Sequence, residues 1–394
     1  MKRVSEIFMA TAFMVTLLGL MIATILLPKE RYSYYENRNL SGIPEVSTET
    51  ILSGGFFDEV ETMLCDYAAG RTAMLKANTW LDLNLFRRPV VNDVVVTDDV
   101  LLPYRDWEAI DPSLIRCQAD FVAEDNKALM DLIESYGGTY CYVAVPCQYA
   151  YYEDEYPSYL YNRAEYTQHE LYYLTLAMER EGVPFVDMGI IFDELGHKPQ
   201  YSSTVDNHFG LYGAYETYRA AINQINEISG LDLAFPEEGR DITFSELSNP
   251  YMGSRTRKLM GLAGNEEHLL TAQFKEDIPF TRYNNGTEAT PTVYAIPPEG
   301  EQVLYSLYMG GDVAETVIDT NRPELPSVLI YGDSFTNAVE VLAYYSFDEM
   351  HSIDLRHYTA MSLAEYIALY QPDVVLCIRD YESLLSRQAN GELF

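Results

Sequence analysis

"SVLIYGDSFTNAVEVL" occupies Ser327–Leu342 and joins an apolar run to a helical pattern through Gly332-Asp333-Ser334. A short apolar stretch closed by a turn signal reads as a buried strand. Gly332 permits a sharp turn, and 335–344 then follow a helical period. The flanks repeat this alternation. "TYCYVAVP", "VPFVDM", "MHSIDL" and "PDVVLCI" read as strands. Residues 111–136, 162–182, 210–229 and 362–370 read as helices, the first started by Asp111-Pro112-Ser113. Apolar strands alternating with helices predict an α/β fold: a parallel sheet with helices on both faces. Three further segments are expected: a helix from Phe56 to Phe86, a hairpin in "VVNDVVVTDDVLLPY", and an irregular, β-leaning insertion over 232–300.

The chain opens differently. No charge falls between Ile7 and Leu27, enough helix to cross roughly 30 Å of hydrocarbon. Lys2 and Arg3 precede the run and favour a cytoplasmic start, while Lys29 and Arg31 weaken that bias. No small-x-small cleavage site closes the run, which ends "ILLPKE". The expected organisation is a cytoplasmic tail over 1–6, a transmembrane signal anchor over 7–27, a linker over 28–50 and an extracytoplasmic domain over 51–394. A cleaved signal peptide is the alternative.

Composition narrows the partners. The formal net charge of −34 argues against nucleic acid and anionic lipid, which need clustered Lys and Arg. A neutral polysaccharide is easier to accommodate. Tyrosine numbers 33, densest over Tyr149–Tyr173. Its ring can stack on sugar, or pack half-buried with a wet hydroxyl. The five cysteines include no CxxC pair and no zinc spacing. Cys141 and Cys147 could bridge a short loop, or both could be free thiols. No metal and no cofactor are expected.

Ser334 lies at the carboxyl end of a strand, where α/β sheets bind ligands. Free N–H groups at the following helix start carry partial positive charge and suit an oxyanion. The simpler reading is that Asp333 or Ser334 caps that helix. A serine nucleophile needs a base, and the base an orienting group. "STVDNHFGLYGAYETY" supplies both, at Asp206 and His208. In an extended segment these i, i+2 side chains leave on one face. The simpler reading here is an Asx turn entering the helix at 210. Both arrangements, each set between sheet and helix, favour a Ser334–His208–Asp206 triad.

These blocks resemble a family. "GDSF" after a strand resembles the nucleophile block of SGNH (GDSL-type) hydrolases. An Asp-x-His pair preceding the serine resembles a permuted branch, the alginate O-acetyltransferase-like proteins. The resemblance is closer still to the DHHW family of bacterial membrane-anchored proteins. "ENRNLSGIP", "GGFFDEVETMLCDYAAGR", "DNHFGLYGAYETY", "LIYGDSFTNA" and "IDLRHY" carry it over nearly the whole chain. The naming motif departs at Asn207 and Phe209 and keeps Asp206 and His208. The resemblance implies an SGNH-hydrolase-like, flavodoxin-like fold with circularly permuted motif order. It also implies an acetyl-serine intermediate, a polysaccharide acceptor and a membrane-bound O-acyltransferase as acetyl donor. Ser334 N–H would be one oxyanion donor, with Gly310, Gly311 or Asn337 as the second. Tyr149, Tyr152 and Arg356 are candidates to line the crevice. The competing expectation is a non-catalytic, glycan-binding scaffold on the same fold.

Overall fold

The computed structural model describes residues 2–386 and 393–394. Met1, the first residue of the expected tail, lies outside the described residues, as do 387–392 of the expected domain. The chain divides into two units. One comprises residues 1–94 with 256–263, and the other 95–255 with 264–394.

The second unit is built on an eight-stranded sheet. Its strands are β1 (Thr139–Val145), β2 (Phe185–Asp187), β3 (Thr281–Asn284), β4 (Thr287–Ala289), β5 (Glu315–Asp319), β6 (Val328–Gly332), β7 (Glu349–Asp354) and β8 (Val374–Asp380). They lie in the order β4-β3-β5-β7-β6-β8-β1-β2. From β7 across to β2 all pairs are parallel. The other edge, β5-β3-β4, is antiparallel. The strand leading to Ser334 is therefore interior. Tyr140–Val145 of β1 are all buried, the signature of a strand covered on both faces. One helical layer packs α2 (Pro112–Glu134) on α3 (Ala164–Glu181) and α6 (Leu363–Tyr370). The other packs α4 (Leu211–Ser229) on α5 (Thr336–Ala343). The fold is the expected mixed α/β sheet, with Asp206 and His208 preceding the serine strand in chain order.

The antiparallel edge departs from expectation. Part of the 232–300 segment is not irregular: β3 and β4 extend the main sheet. Their turn is Asn285-Gly286, with φ of 49° and 72°, the left-handed pair that a tight hairpin demands. A separate antiparallel ribbon, Ile242–Glu246 with Leu270–Phe274, fills more of the segment. The Tyr149–Tyr173 stretch mixes buried Tyr149, Tyr151 and Tyr156 with exposed Tyr159 and Tyr172, and many tyrosines elsewhere are buried outright. Tyr140, Tyr142, Tyr149, Tyr201, Tyr215, Tyr218, Tyr308 and Tyr366 are among the largest fully buried side chains. Several of the hydroxyls find partners, while those of Tyr142 and Tyr201 have none. The Tyr140 and Tyr331 hydroxyls pair at 2.7 Å, and Tyr215 donates to the Pro236 carbonyl at 2.9 Å. All five cysteines are free thiols.

In the first unit, α1 (Lys2–Leu26) is long and apolar enough to cross a membrane over Ser5–Leu26. The expected helix from Phe56 to Phe86 is broken into Gly55–Asp66 and Arg71–Trp80. Gly70, at φ 74°, stands in a left-handed conformation just before the second helix. The stretch expected as a linker carries a two-stranded ribbon, Tyr32–Ser33 with Arg38–Asn39. Buried Asp66 anchors it, accepting from Arg38 Nη1 (3.0 Å), Ser41 N (2.9 Å) and Ser41 Oγ (2.8 Å). The Arg38 guanidinium and the Ser41 donors hold the Asp66 carboxyl well below the usual range, against the effect of burial. "ENRNLSGIP" is thus an ion-pairing segment.

Candidate active site

The turn after β6 is set by two residues. Gly332 pairs in register with Ile378 of β8. A Cβ at Gly332 would fall 1.9 Å from the Ile378 carbonyl oxygen, so only glycine permits this approach. Asp333 braces the turn, while the helix that follows starts at Thr336 with no side-chain cap. Its Oδ1 accepts from Phe335 N (2.9 Å), and its Oδ2 from Asp380 N (3.1 Å) and Ser383 Oγ (3.2 Å). Asp333 thereby leaves the Ser334 hydroxyl free for another partner.

That partner is His208. Ser334 Oγ lies 2.8 Å from His208 Nε2. His208 Nδ1 lies 2.6 Å from Asp206 Oδ1, an acceptor-only carboxylate, so the ring proton sits on Nδ1 and Nε2 is open to the serine hydroxyl. Asp206 Oδ1 also accepts from the His208 backbone N–H at 3.2 Å. The Asx turn and the ring-orienting bond are therefore one arrangement rather than alternatives.

The loop carrying this pair is fixed on several sides. Glu267 Oε2 accepts from Ser203 Oγ (3.1 Å), Thr204 N (3.0 Å) and Thr204 Oγ1 (3.0 Å). Gln148 N donates to the Asn207 carbonyl at 3.3 Å. The Ser254 backbone N–H donates to Asp206 Oδ2, and its hydroxyl to Asn207 Oδ1 at 3.0 Å. Gly253 makes this approach possible, since a Cβ there would lie 2.3 Å from the Val205 carbonyl oxygen. The Tyr305 ring stacks on the imidazole at 3.7 Å and 5°, and Phe335 packs against its other surroundings at 5.3 Å. Burial alone would raise the Asp206 pKa. Electrostatic attraction to the His208 ring and the bonds from that ring, Ser254 N–H and His208 N–H outweigh it and hold the carboxyl below its ordinary range. Asp206 is thus an anion buried beside an imidazole whose far nitrogen meets a hydroxyl.

The remaining candidates fall in different places. Asn337 Nδ2 donates to Asp312 Oδ1 at 3.2 Å. Asp312 in turn pairs with Arg356 (3.0 Å), which also grips Asp354 (2.6 Å). Asn337, Asp312, Arg356 and Asp354 thus form one chain that begins on the helix after Ser334. With His357, the two aspartates have metal-like spacing, but the Arg356 guanidinium already bridges them. Gly310 and Gly311 form a left-handed turn, φ 82° and 98°, that delivers Asp312. The Gly311 N–H is spent on the Tyr308 carbonyl at 3.1 Å. Tyr149 and Tyr152 have other partners. Tyr149 is buried and accepts from Arg163 Nη1 at 2.8 Å. Tyr152 donates to the Ser202 carbonyl at 3.0 Å. Sequence reasoning missed Ser254, Tyr305 and Asp312, whose residue types carry no local signal.

No family model matches the chain, and no curated protein matches it significantly. Solved structures do. Bacillus cereus PatB1, determined with a sulfonyl adduct, superposes with a TM-score of 0.63 at 18% identity, covering 76% of this chain and 99% of that one. A DHHW family protein from Eubacterium siraeum superposes with a TM-score of 0.56 at 16% identity, covering 77% and 97%. The chain thus shares its fold, over about three quarters of its length, with PatB1 and with a DHHW family protein.

Proposed function

We propose that the protein is a membrane-anchored, extracytoplasmic O-acetyltransferase or acetylesterase acting on a cell-surface or extracellular polysaccharide. The observation that carries this reading is the imidazole of His208 lying between Ser334 Oγ (2.8 Å) and Asp206 (2.6 Å). Ser334 Oγ attacks the acetyl carbonyl while its proton passes to His208 Nε2. Asp206 stabilises the imidazolium and fixes the ring. The Ser334 N–H and the start of α5 face the developing oxyanion, and one such donor contributes roughly 10²–10³ in rate. The intermediate collapses and expels the donor alcohol, which takes the proton from Nε2. The acetyl-serine is then attacked by a sugar hydroxyl or by water, with His208 as base again. The two outcomes differ only in the acceptor.

A sulfonyl adduct on PatB1 supports the reading, because sulfonyl electrophiles are trapped by activated nucleophiles, and Ser334 is that nucleophile here. The apolar α1 and the leading Lys2 and Arg3 support anchoring with the second unit outside the cytoplasm. An acetyl donor in the membrane, of the O-acyltransferase kind, fits that placement. The test is release of p-nitrophenol from its acetyl ester, with and without candidate polysaccharides. Wild type should turn over and Ser334→Ala should not, while keeping its thermal transition. An acceptor polysaccharide should gain acetyl if the protein is a transferase. Turnover by Ser334→Ala would overturn the assignment.

A further inference from the structure

The carboxyl edge of the sheet holds a second feature, a cavity of about 690 Å³. It lies where β1, β2 and β8 end, lined by Pro146, Asp187 and Tyr381 among others, and includes none of Asp206, His208 and Ser334. Its volume is that of a small-molecule pocket, at the sheet edge where α/β folds take ligands.

The lining is one-sided in charge. Glu153, Asp154, Glu155, Asp187 and Asp193 contribute carboxylates, and no Lys or Arg lines it. The basic group present, His197, is engaged by Asp193 (2.7 Å) and the Tyr151 carbonyl (2.9 Å). Asp187 is also engaged, accepting from Gly189 N (2.9 Å) and the Tyr381 hydroxyl. Among the described residues, Glu153 and Asp154 form no ion pair in the cavity wall, although His197 attracts the Glu153 carboxylate. Burial, and then Asp154 and Asp193, push the Glu153 carboxyl upward against the pull of His197. Aromatic surface stands beside the acids: Tyr151 and Tyr152 meet edge to face at 5.1 Å. Thr167 also lines the cavity, and its buried hydroxyl has no hydrogen-bond partner. A bare metal ion does not suit the lining. Among the described residues, the group of metal-like spacing is Asp312, Asp354 and His357, so the cavity acids are spread too widely for one small ion. Carboxylates spread around an aromatic wall match an extended organic cation, which gains both Coulombic and cation–π attraction.

We propose that this cavity binds an organic ammonium ligand through Glu153, Asp154 and the Tyr152 ring, at a site separate from Ser334. Two sources share that chemistry, a sugar bearing a free amine and a linear polyamine. The test is calorimetric titration of the full-length protein in detergent micelles at about 0.15 M salt, which screens the general negative field. The probes are the β-1,4 disaccharide of glucosamine, its di-N-acetylated form and spermidine. At least one amine probe should bind, and the N-acetylated disaccharide about tenfold or more weaker, since one lost cation contact is worth roughly 1–2 kcal/mol. Glu153→Gln with Asp154→Asn should weaken the amine by a similar factor. Glu276→Gln with Asp277→Asn removes the same charge at exposed positions outside the cavity and should leave affinity unchanged. If the first pair fails to fold, Ile190→Trp fills the cavity instead and should block binding. Preference for the disaccharide or for spermidine names the source. Absent binding, equal binding of the N-acetylated form, or equal weakening by the control pair would overturn the proposal.

Discussion

At the scale of single residues, Asp206 has the most demanding role. It is buried, charged, and bonded at once to the His208 ring, the His208 backbone and the Ser254 backbone. Asp206→Asn puts an amide where an anion balanced the imidazolium, and acetyl-ester turnover should fall roughly 10²–10⁴-fold. The check is kcat in a protein whose circular dichroism is unchanged; a variant with full activity would remove Asp206 from the mechanism. Gly332 is constrained by sterics instead. Gly332→Ala drives a methyl into the Ile378 carbonyl and should destabilise by about 1–3 kcal/mol or more, as overpacking does. A Tm equal to wild type would mean the β6–β8 pairing relaxes freely. The sequence exposed the key residues unevenly. Gly-Asp-Ser after an apolar strand, and Asp-x-His before a helix, are compact patterns with a chemical reason. Ser254 and Tyr305 reach His208's surroundings through the fold, from segments with no signal of their own.

At the scale of elements, α2 and α3 offer two tests. Asp111 caps α2, accepting from Ser113 N (3.0 Å) and Leu114 N (3.3 Å) ahead of Pro112 at the first turn. Asp111→Ala should cost about 1 kcal/mol, read as a lower denaturant midpoint at constant m-value. Glu170 lies buried on α3, and burial first, with Asp380 and Glu108 adding to it, pushes its carboxyl up to about 8 despite Arg163. The folded protein therefore keeps a proton on Glu170 that the unfolded chain gives up near 4.5. Its stabilising contribution is complete below that value and is lost as pH rises through about 8. Glu170→Gln should flatten the fall in stability between those limits, measured by chemical denaturation across pH. An unchanged pH slope would show that Glu170 is ionised in the fold. Elements were legible where periodicity was clean. The helix expected from Phe56 to Phe86 failed at Gly70, whose left-handed φ overrides the surrounding helical pattern. The antiparallel edge was hidden by short strands, although Asn285-Gly286 was a readable hairpin signal.

At the scale of the whole molecule, the proposed placement makes its own prediction. With α1 intact the protein should sediment with membranes, and protease should reach it from the extracytoplasmic side. A chain lacking residues 1–27 should be soluble. Recovery of the intact protein in the soluble fraction would contradict an anchor. The parallel half of the sheet and the order of its motifs could be read from the sequence because each strand–helix step buries its own apolar run. The distribution of carboxylates around the cavity could not, since it depends on three strand ends meeting. The central claim is that Ser334 carries the acetyl group. Intact-mass analysis after rapid acid quench of the protein with an acetyl ester tests it most directly. The account predicts one added acetyl per chain, mapped to Ser334 by peptide sequencing and absent from Ser334→Ala. An acetyl mapped to any other residue, or undiminished labelling of Ser334→Ala, would contradict it.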